Sequence, residues 1–198
     1  MKKIVIAKHH PNHVDDDKPL FGFWVYLMTD LSLFATLFAT YAVLRNNTFG
    51  GPSGKDIFDL PYVLLETMAL LVSSFTAGLA MIAARAGKKN QVILLFSITF
   101  ALGLLFIGME LHEFNNLVNE GHSWRISGFL SAFFTLVATH GLHISSGLLW
   151  MAIMIHQVAK KGLKTSVIKR LTLLSFFWHF LDIVWIFIFT IVYLIGAA

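Results

Sequence analysis

The residues of this chain that could do chemistry lie in pairs, three positions apart, inside long apolar runs. Three such pairs occur: Glu110 with Glu113, His140 with His143, and His179 with Asp182. Residues at this spacing share one face of a helix. Two further apolar runs each carry a single carboxylate, Asp30 and Glu66. Each ionisable side chain at bilayer depth costs about 2.5–3.5 kcal/mol on insertion scales, so these groups require partners.

Buried histidines and carboxylates of this kind support three interpretations. Bis-imidazole haem ligation needs two histidines at matched depth on facing helices, and His140 or His143 with His179 meets that condition. A proton or ion relay uses the same residue types, although transport folds usually contain internal repeats and broken spans. The third interpretation is a polar network that is satisfied within the bundle or by a lipid headgroup, and the spacing alone favours it.

Composition predicts a polytopic membrane protein. Of the 198 residues, 57% are hydrophobic and 13% charged, whereas soluble domains average about 25% charged residues. A helix of about 20 apolar residues spans the hydrocarbon core, and five runs qualify, at about 21–44, 62–84, 91–114, 127–157 and 171–195. We therefore predict an all-α fold, in which residues 21–198 form a bundle of five transmembrane helices after a polar tail at 1–20. Within span two we expect Glu66 to lie near one surface, where water or headgroups reach it.

The basic residues predict the orientation. The tail, the 85–90 hairpin and the 158–170 loop carry four, three and five of the 15 Lys and Arg residues. With five spans these segments share one side of the membrane, which the positive-inside rule makes cytoplasmic. The N-terminus is then cytoplasmic and the C-terminus periplasmic. Lys160, Lys161 and Arg170 are candidate contacts for anionic lipid headgroups.

Several classes of function are disfavoured by the sequence. The chain has no cysteine, which excludes disulfides, thiolate metal sites and thiol nucleophiles. It also lacks Gly-x-Ser-x-Gly, His-Glu-x-x-His and phosphate-loop motifs. A nucleic-acid partner is not expected, because the basic residues lie in short loops between spans. The histidines of the tail, His9-His10-Pro11-Asn12-His13, are interpreted as part of a solvated segment, and no metal site is predicted.

Two long motifs give the chain a recognisable resemblance. The run Phe133-Phe134, followed by Thr139-His140-Gly141-Leu142-His143 and Gly147, resembles a signature of subunit III of the haem-copper respiratory oxidases. So does the run from Trp178 to Trp185, which reads Trp-His-Phe-Leu-Asp-Ile-Val-Trp. The run from Glu110 to Phe114 is similar to the family's pattern at the end of the preceding helix, with Glu110 where cytochrome c oxidases usually carry Gln. The resemblance covers residues from about 21 to 198, and the five spans are most like those of the bacterial cytochrome o ubiquinol oxidases.

The resemblance implies a non-catalytic subunit of a proton-pumping terminal oxidase in the bacterial inner membrane. In that family haem and copper belong to subunit I, so no cofactor is expected in this chain. Subunit I is the expected direct partner, and subunits II and IV belong to the same complex. Subunit III of that family packs beside subunit I, holds phospholipid in a cleft, and supports stability and proton uptake.

The resemblance also implies roles for individual residues. Family members carry a buried carboxylate, often Glu, in the helix that matches span one, where this chain has Asp30. No catalytic residue is carried over. The candidates for a buried polar network or for lipid binding are Asp30, Glu110, Glu113, His140, His143, His179 and Asp182. The alternatives are subunit III of a short cytochrome c oxidase or menaquinol oxidase, and an ion- or proton-coupled transporter.

Overall fold

The architecture is helical throughout the part of the chain that the computed structural model describes, residues 14–197, without the side chains of residues 14–17 and 56. The elements are α1 (Val14–Leu44), α2 (Gly54–Ile57), α3 (Leu60–Arg85), α4 (Lys89–Asn119), α5 (Gly128–Lys161) and α6 (Thr165–Ile188), which continues as a π-helix (Phe189–Leu194). All but α2 belong to five segments that are long and apolar enough to cross a membrane. The predicted all-α, five-span class is confirmed for these residues, while the histidines at 9, 10 and 13 lie outside them.

Polar groups, rather than the ends of the apolar runs, set several helix ends. The Asp59 carboxylate accepts a hydrogen bond from Tyr62 N at 3.4 Å, and Pro61 lies in the first turn of α3. Ser127 Oγ caps α5 in the same way by accepting from Leu130 N at 3.1 Å. Helices α1 and α6 begin about six residues before their apolar runs, because a helix can continue beyond the hydrocarbon core into water.

Helices α3 to α6 form a closed four-helix bundle, and α1 packs on its outside. Each of the four contacts its sequence neighbour, and α3 also contacts α6, which closes the ring; α1 contacts α5 and, less extensively, α6. Short connections make successive helices antiparallel. We call the end formed by residues 45–59, 120–127 and 195–197 the C-terminal face, and the end formed by 86–88 and 162–164 the N-terminal face.

Aromatic side chains close the bundle at the C-terminal face. The short helix α2 leads into Phe58, whose ring centroid lies 4.8 Å from that of Tyr193 and 5.1 Å from that of Phe133. Tyr41 of α1 donates a hydrogen bond from its hydroxyl to Val192 O at 3.2 Å. These contacts fix the π-helical end of the chain against α1, α2 and α5.

Candidate functional site: the buried polar groups

The ionisable side chains singled out in the sequence are buried or half-buried, and the structure distributes them among four places. Asp30 lies with His143 between α1 and α5. His140 lies alone among aromatic rings. His179 and Asp182 face a groove with Ser74. The glutamates of α3 and α4 form a fourth group, so these side chains do not form one continuous network.

Asp30 and His143 connect the outer helix to the bundle. His143 Nε2 lies 3.7 Å from Asp30 Oδ1, and His143 Nδ1 lies 2.7 Å from Thr139 O. A carbonyl oxygen only accepts hydrogen bonds, so Nδ1 carries a proton. Nε2 can then donate towards Asp30 only when the ring holds a second proton. The Phe34 ring, with its centroid 5.2 Å from that of His143, covers the pair.

His140 occupies an aromatic enclosure inside the bundle. Its ring stacks on Trp185 at a centroid distance of 5.2 Å and meets the edge of Phe106 at 5.9 Å. Neither ring nitrogen has a hydrogen-bond partner. His143 contacts α1 whereas His179 contacts α3, so these two histidines face different neighbours. The structure therefore does not bring together His143 and His179, which is one of the two histidine pairs considered for bis-imidazole haem ligation.

His179 and Asp182 lie at the polar base of a groove between α3 and α6. Ser74 Oγ is 2.7 Å from His179 Nδ1, and Asp182, one turn further along α6, lines the same groove. Either atom can donate in the Ser74–His179 bond, because the tautomer decides whether Nδ1 carries the proton. The bond links α3 to α6 across the groove.

The walls of this groove are apolar. Its volume is about 430 Å³, and α3 supplies most of the lining: Leu71, Ser74, Phe75, Gly78, Leu79 and Ile82. His179 and Asp182 lie about 14 to 17 residues from the start of α6, which is about 21–26 Å along the helix and near the middle of the membrane. Apolar walls at that depth suit an acyl chain or a neighbouring helix.

Glu66, Glu110 and Glu113 form the acidic cluster, between α3 and α4 in the half of the bundle nearer the C-terminal face. Their carboxyl groups are close enough to interact electrostatically. Tyr193 of the π-helix donates a hydrogen bond to Glu113 Oε2 at 2.8 Å. Glu66 is 0% exposed, so the expectation that water or headgroups reach it was wrong. The sequence predicted the position of Glu66 along α3, but it did not predict the rotation of α3 that turns this side chain inward.

A water-accessible pocket, here called the vestibule, lies beside the acidic cluster. It has a volume of about 350 Å³ and is lined by Ile57, Asp59, Tyr62, His112, Glu113, Asn116, Leu117 and Glu120. Tyr62 donates from its hydroxyl to Met109 O at 3.1 Å, and His112 Nε2 lies 3.2 Å from Asn116 Nδ2. The sequence did not single out this pocket, since its lining comes from three separate segments.

Two hydrogen bonds of the tryptophans were also missed from the sequence. Trp178 Nε1 donates to Ser73 Oγ at 3.1 Å, and Trp185 Nε1 donates to Thr67 Oγ1 at 3.0 Å. The sequence did contain a signal for these bonds, because a buried indole N–H requires a hydrogen-bond acceptor. The tryptophans are seven residues apart and therefore lie on one face of α6, opposite two hydroxyl residues of α3.

The basic residues proposed for headgroup contact lie at the N-terminal face. Lys160 and Lys161 are exposed in the last turn of α5. Arg170 Nη1 donates to Gln157 Oε1 at 3.2 Å, which holds its guanidinium beside that end of α5. Positive charge at a helix C-terminus is favourable in itself.

These observations define a polytopic helical membrane protein whose interior is rich in carboxylates and histidines. No group of three or more His, Asp or Glu side chains within residues 14–197 is placed to hold a metal ion. The family model for cytochrome c oxidase subunit III matches residues 3–197, and the chain belongs to this family. Subunit III of the haem-copper oxidases is a non-catalytic accessory subunit.

Individual relatives are similar over nearly the whole chain. The chain is 58% identical over 191 residues to cytochrome bo(3) ubiquinol oxidase subunit 3 of Pseudomonas aeruginosa, which covers 96% of the chain and 91% of the relative. Identity to the subunit of the same name from Buchnera aphidicola is 48% over 181 residues, covering 91% and 93%. Cytochrome c oxidase subunit 3 of a Bacillus species is 46% identical over 177 residues, covering 89% and 86%.

Replacement of Ser74 tests the link between α3 and α6. In Ser74→Ala, His179 Nδ1 loses its hydrogen-bond partner on α3. We expect a loss of about 1–3 kcal/mol in stability, the usual cost of an unsatisfied buried polar group. The measurement is thermal unfolding of the purified protein in its native assembly. Ser146→Ala is the control, because that exposed hydroxyl bonds only to His143 O of its own helix, and equal melting temperatures for the two variants would contradict the link.

Proposed function

We propose that this chain is subunit III of a bacterial cytochrome bo(3)-type ubiquinol oxidase, a proton-pumping complex that transfers electrons from ubiquinol to oxygen. The observation that carries the proposal is identity of 58% and 53%, over more than nine tenths of the chain, to two Pseudomonas proteins of that name. Relatives named for cytochrome c oxidase or quinol oxidase reach 46% and 44%, which favours the ubiquinol oxidase over these alternatives. Haem and copper reside in subunit I in this proposal, and this chain contributes no redox centre.

The orientation and the partners follow from the same proposal. The excess of Lys and Arg at the N-terminal face supports a cytoplasmic N-terminus and a periplasmic C-terminus in the inner membrane. Subunit I is the direct partner, and subunits II and IV complete the complex. The exposed surface supports such burial in lipid or protein, since large apolar side chains such as Phe21 and Phe75 are 72% and 67% exposed.

The buried polar groups hold the helices of this subunit in register. Asp30 with His143 attaches α1 to α5, and Ser74 with His179 attaches α3 to α6. Neither set carries electrons. A subunit held together in this way supplies a stable surface for subunit I and for phospholipid.

Purification through this chain tests the assignment. A tag on the C-terminus should recover a haem-containing complex with ubiquinol oxidase activity, and the separated chain should be colourless. A b-type haem spectrum in the separated chain would contradict the absence of a redox centre. Recovery of the chain alone as a stable, transport-competent protein would instead favour the ion- or proton-coupled transporter.

The headgroup contact has its own test. Replacing Lys160, Lys161 and Arg170 together by Gln should reduce the anionic phospholipid that co-purifies with the complex, because each basic side chain near a surface contributes about 1 kcal/mol. Lipid mass spectrometry gives the measurement. The matched control replaces Arg45, Lys55 and Arg125 of the opposite face by Gln, and equal lipid retention in both variants would contradict the proposed contact.

Asp30→Asn separates a structural role from a redox role. We expect the initial rate of ubiquinol oxidation to remain close to that of the parent complex, since no electron passes through this side chain. The melting temperature should fall, because the carboxylate that faces His143 Nε2 is lost. An immediate loss of all turnover in a fully assembled complex would show that Asp30 takes part in the reaction.

A further inference from the structure

Two members of the acidic cluster defined above, Glu66 and Glu110, form no hydrogen bond that joins one helix to another. Glu66 is fully buried and Glu110 is 3% exposed, yet none of their four carboxyl oxygens has a hydrogen-bond partner. An ionised carboxylate left unpartnered in a protein interior costs several kcal/mol. Orphaned buried polar atoms in a native structure indicate an unseen water, ion or proton. Something that binds these oxygens is therefore needed.

The vestibule gives the cluster access to water. Glu113 lines the vestibule and also belongs to the acidic cluster, so its side chain connects the pocket to the cluster. It lies six residues before the end of α4, which is about 9 Å along the helix. The vestibule volume of about 350 Å³ is enough for several waters, since each takes about 30 Å³ in the liquid.

The charged and titratable groups around the cluster come from every element that packs there. Asp59 lies just before α3, and Tyr62 and Glu66 lie on α3. Helix α4 contributes the largest set, which is Glu110, His112, Glu113 and Glu120. The π-helix contributes Tyr193. Neither Lys nor Arg is among the residues that line the vestibule. Helix α5 contributes backbone at Gly141, where an added Cβ would lie 2.8 Å from both carboxyl oxygens of Glu110, so this wall has no room for a side chain.

The hydrogen-bond inventory of the cluster favours a proton as the bound species. Tyr193 donates to Glu113 Oε2, and the glutamates offer only acceptors to one another while they are ionised. A protonated Glu66 or Glu110 supplies the donor that the group lacks, because a carboxylic acid donates one hydrogen bond. A coordinated metal ion fits less well, since no three acidic or histidine side chains in the described range are arranged around a common point.

We infer that Glu66, Glu110 and Glu113 form a proton-binding site that is open through the vestibule to the C-terminal face of the bundle. Uptake forms one O–H bond on a carboxyl oxygen and neutralises one carboxylate, with the proton supplied by vestibule water or buffer. If the proposed orientation holds, the site exchanges protons with the periplasmic side. The π-helix has a specific part in it, because it places the Tyr193 hydroxyl on Glu113.

Infrared difference spectroscopy of the purified oxidase complex tests this inference. Carbonyl stretching bands of protonated carboxylic acids should shift when the complex is transferred from H₂O to D₂O, and Glu66→Gln should lose one exchangeable band. Asp30→Asn is the control, because its buried carboxyl lies outside the cluster, and it should retain the band that Glu66→Gln loses. Absence of any exchangeable band that depends on Glu66 would overturn the site.

Two further measurements test how protons reach the acidic cluster and which species binds there. Asn116→Trp fills the vestibule and leaves the three glutamates in the sequence, and we expect it to slow the exchange of the Glu66-dependent band. Unchanged exchange would overturn entry through the vestibule.

Repeating the exchange measurement in sodium, potassium and choline chloride at constant pH identifies the ligand. A band that responds to the alkali cation would overturn the proton as ligand in favour of a monovalent metal ion. None of these readouts depends on which quinol or cytochrome the complex oxidises.

Discussion

The constraint on which this structure depends is that polar side chains inside the hydrocarbon region must find their partners within the protein. The seam between α3 and α6 satisfies it with three side-chain hydrogen bonds, from Trp178 to Ser73, from Trp185 to Thr67 and between His179 and Ser74. The donors on α6 lie two turns apart, and α3 presents the acceptors. This seam joins α3 to α6 and so closes the four-helix ring.

The same constraint explains why the interior is not uniform. At mid-depth Asp30 pairs with His143 and His179 pairs with Ser74 across helix contacts, whereas His140 lies within aromatic rings. Nearer the C-terminal face the carboxyl groups of Glu66 and Glu110 have no partner, and this is also where a pocket leads in from the surface. The two regions thus differ in what they can do: one fixes helices, and the other can exchange protons with water.

Much of the fold could be predicted from the sequence, because hydrophobicity reports depth in a membrane directly. The five spans and the face-sharing pairs followed from run length and spacing. The burial of Glu66 did not, since rotation about the helix axis depends on which neighbour the helix meets. The π-helix at Phe189–Leu194 was not predicted either. Its apolar sequence resembles that of an α-helix, and the contacts of Tyr193 with Glu113 and Phe58 are tertiary.

By itself the sequence determined the class of the molecule, the position of each polar group along its helix and, through two long motifs, its family. Those properties are local, because each depends on residue types within a few turns of one helix. Only the tertiary structure decided which groups became partners: Asp30 with His143 rather than with His179, and Ser74 with His179 of α6. The physical reason is that spacing fixes the face of a helix, whereas packing of whole helices fixes what that face meets.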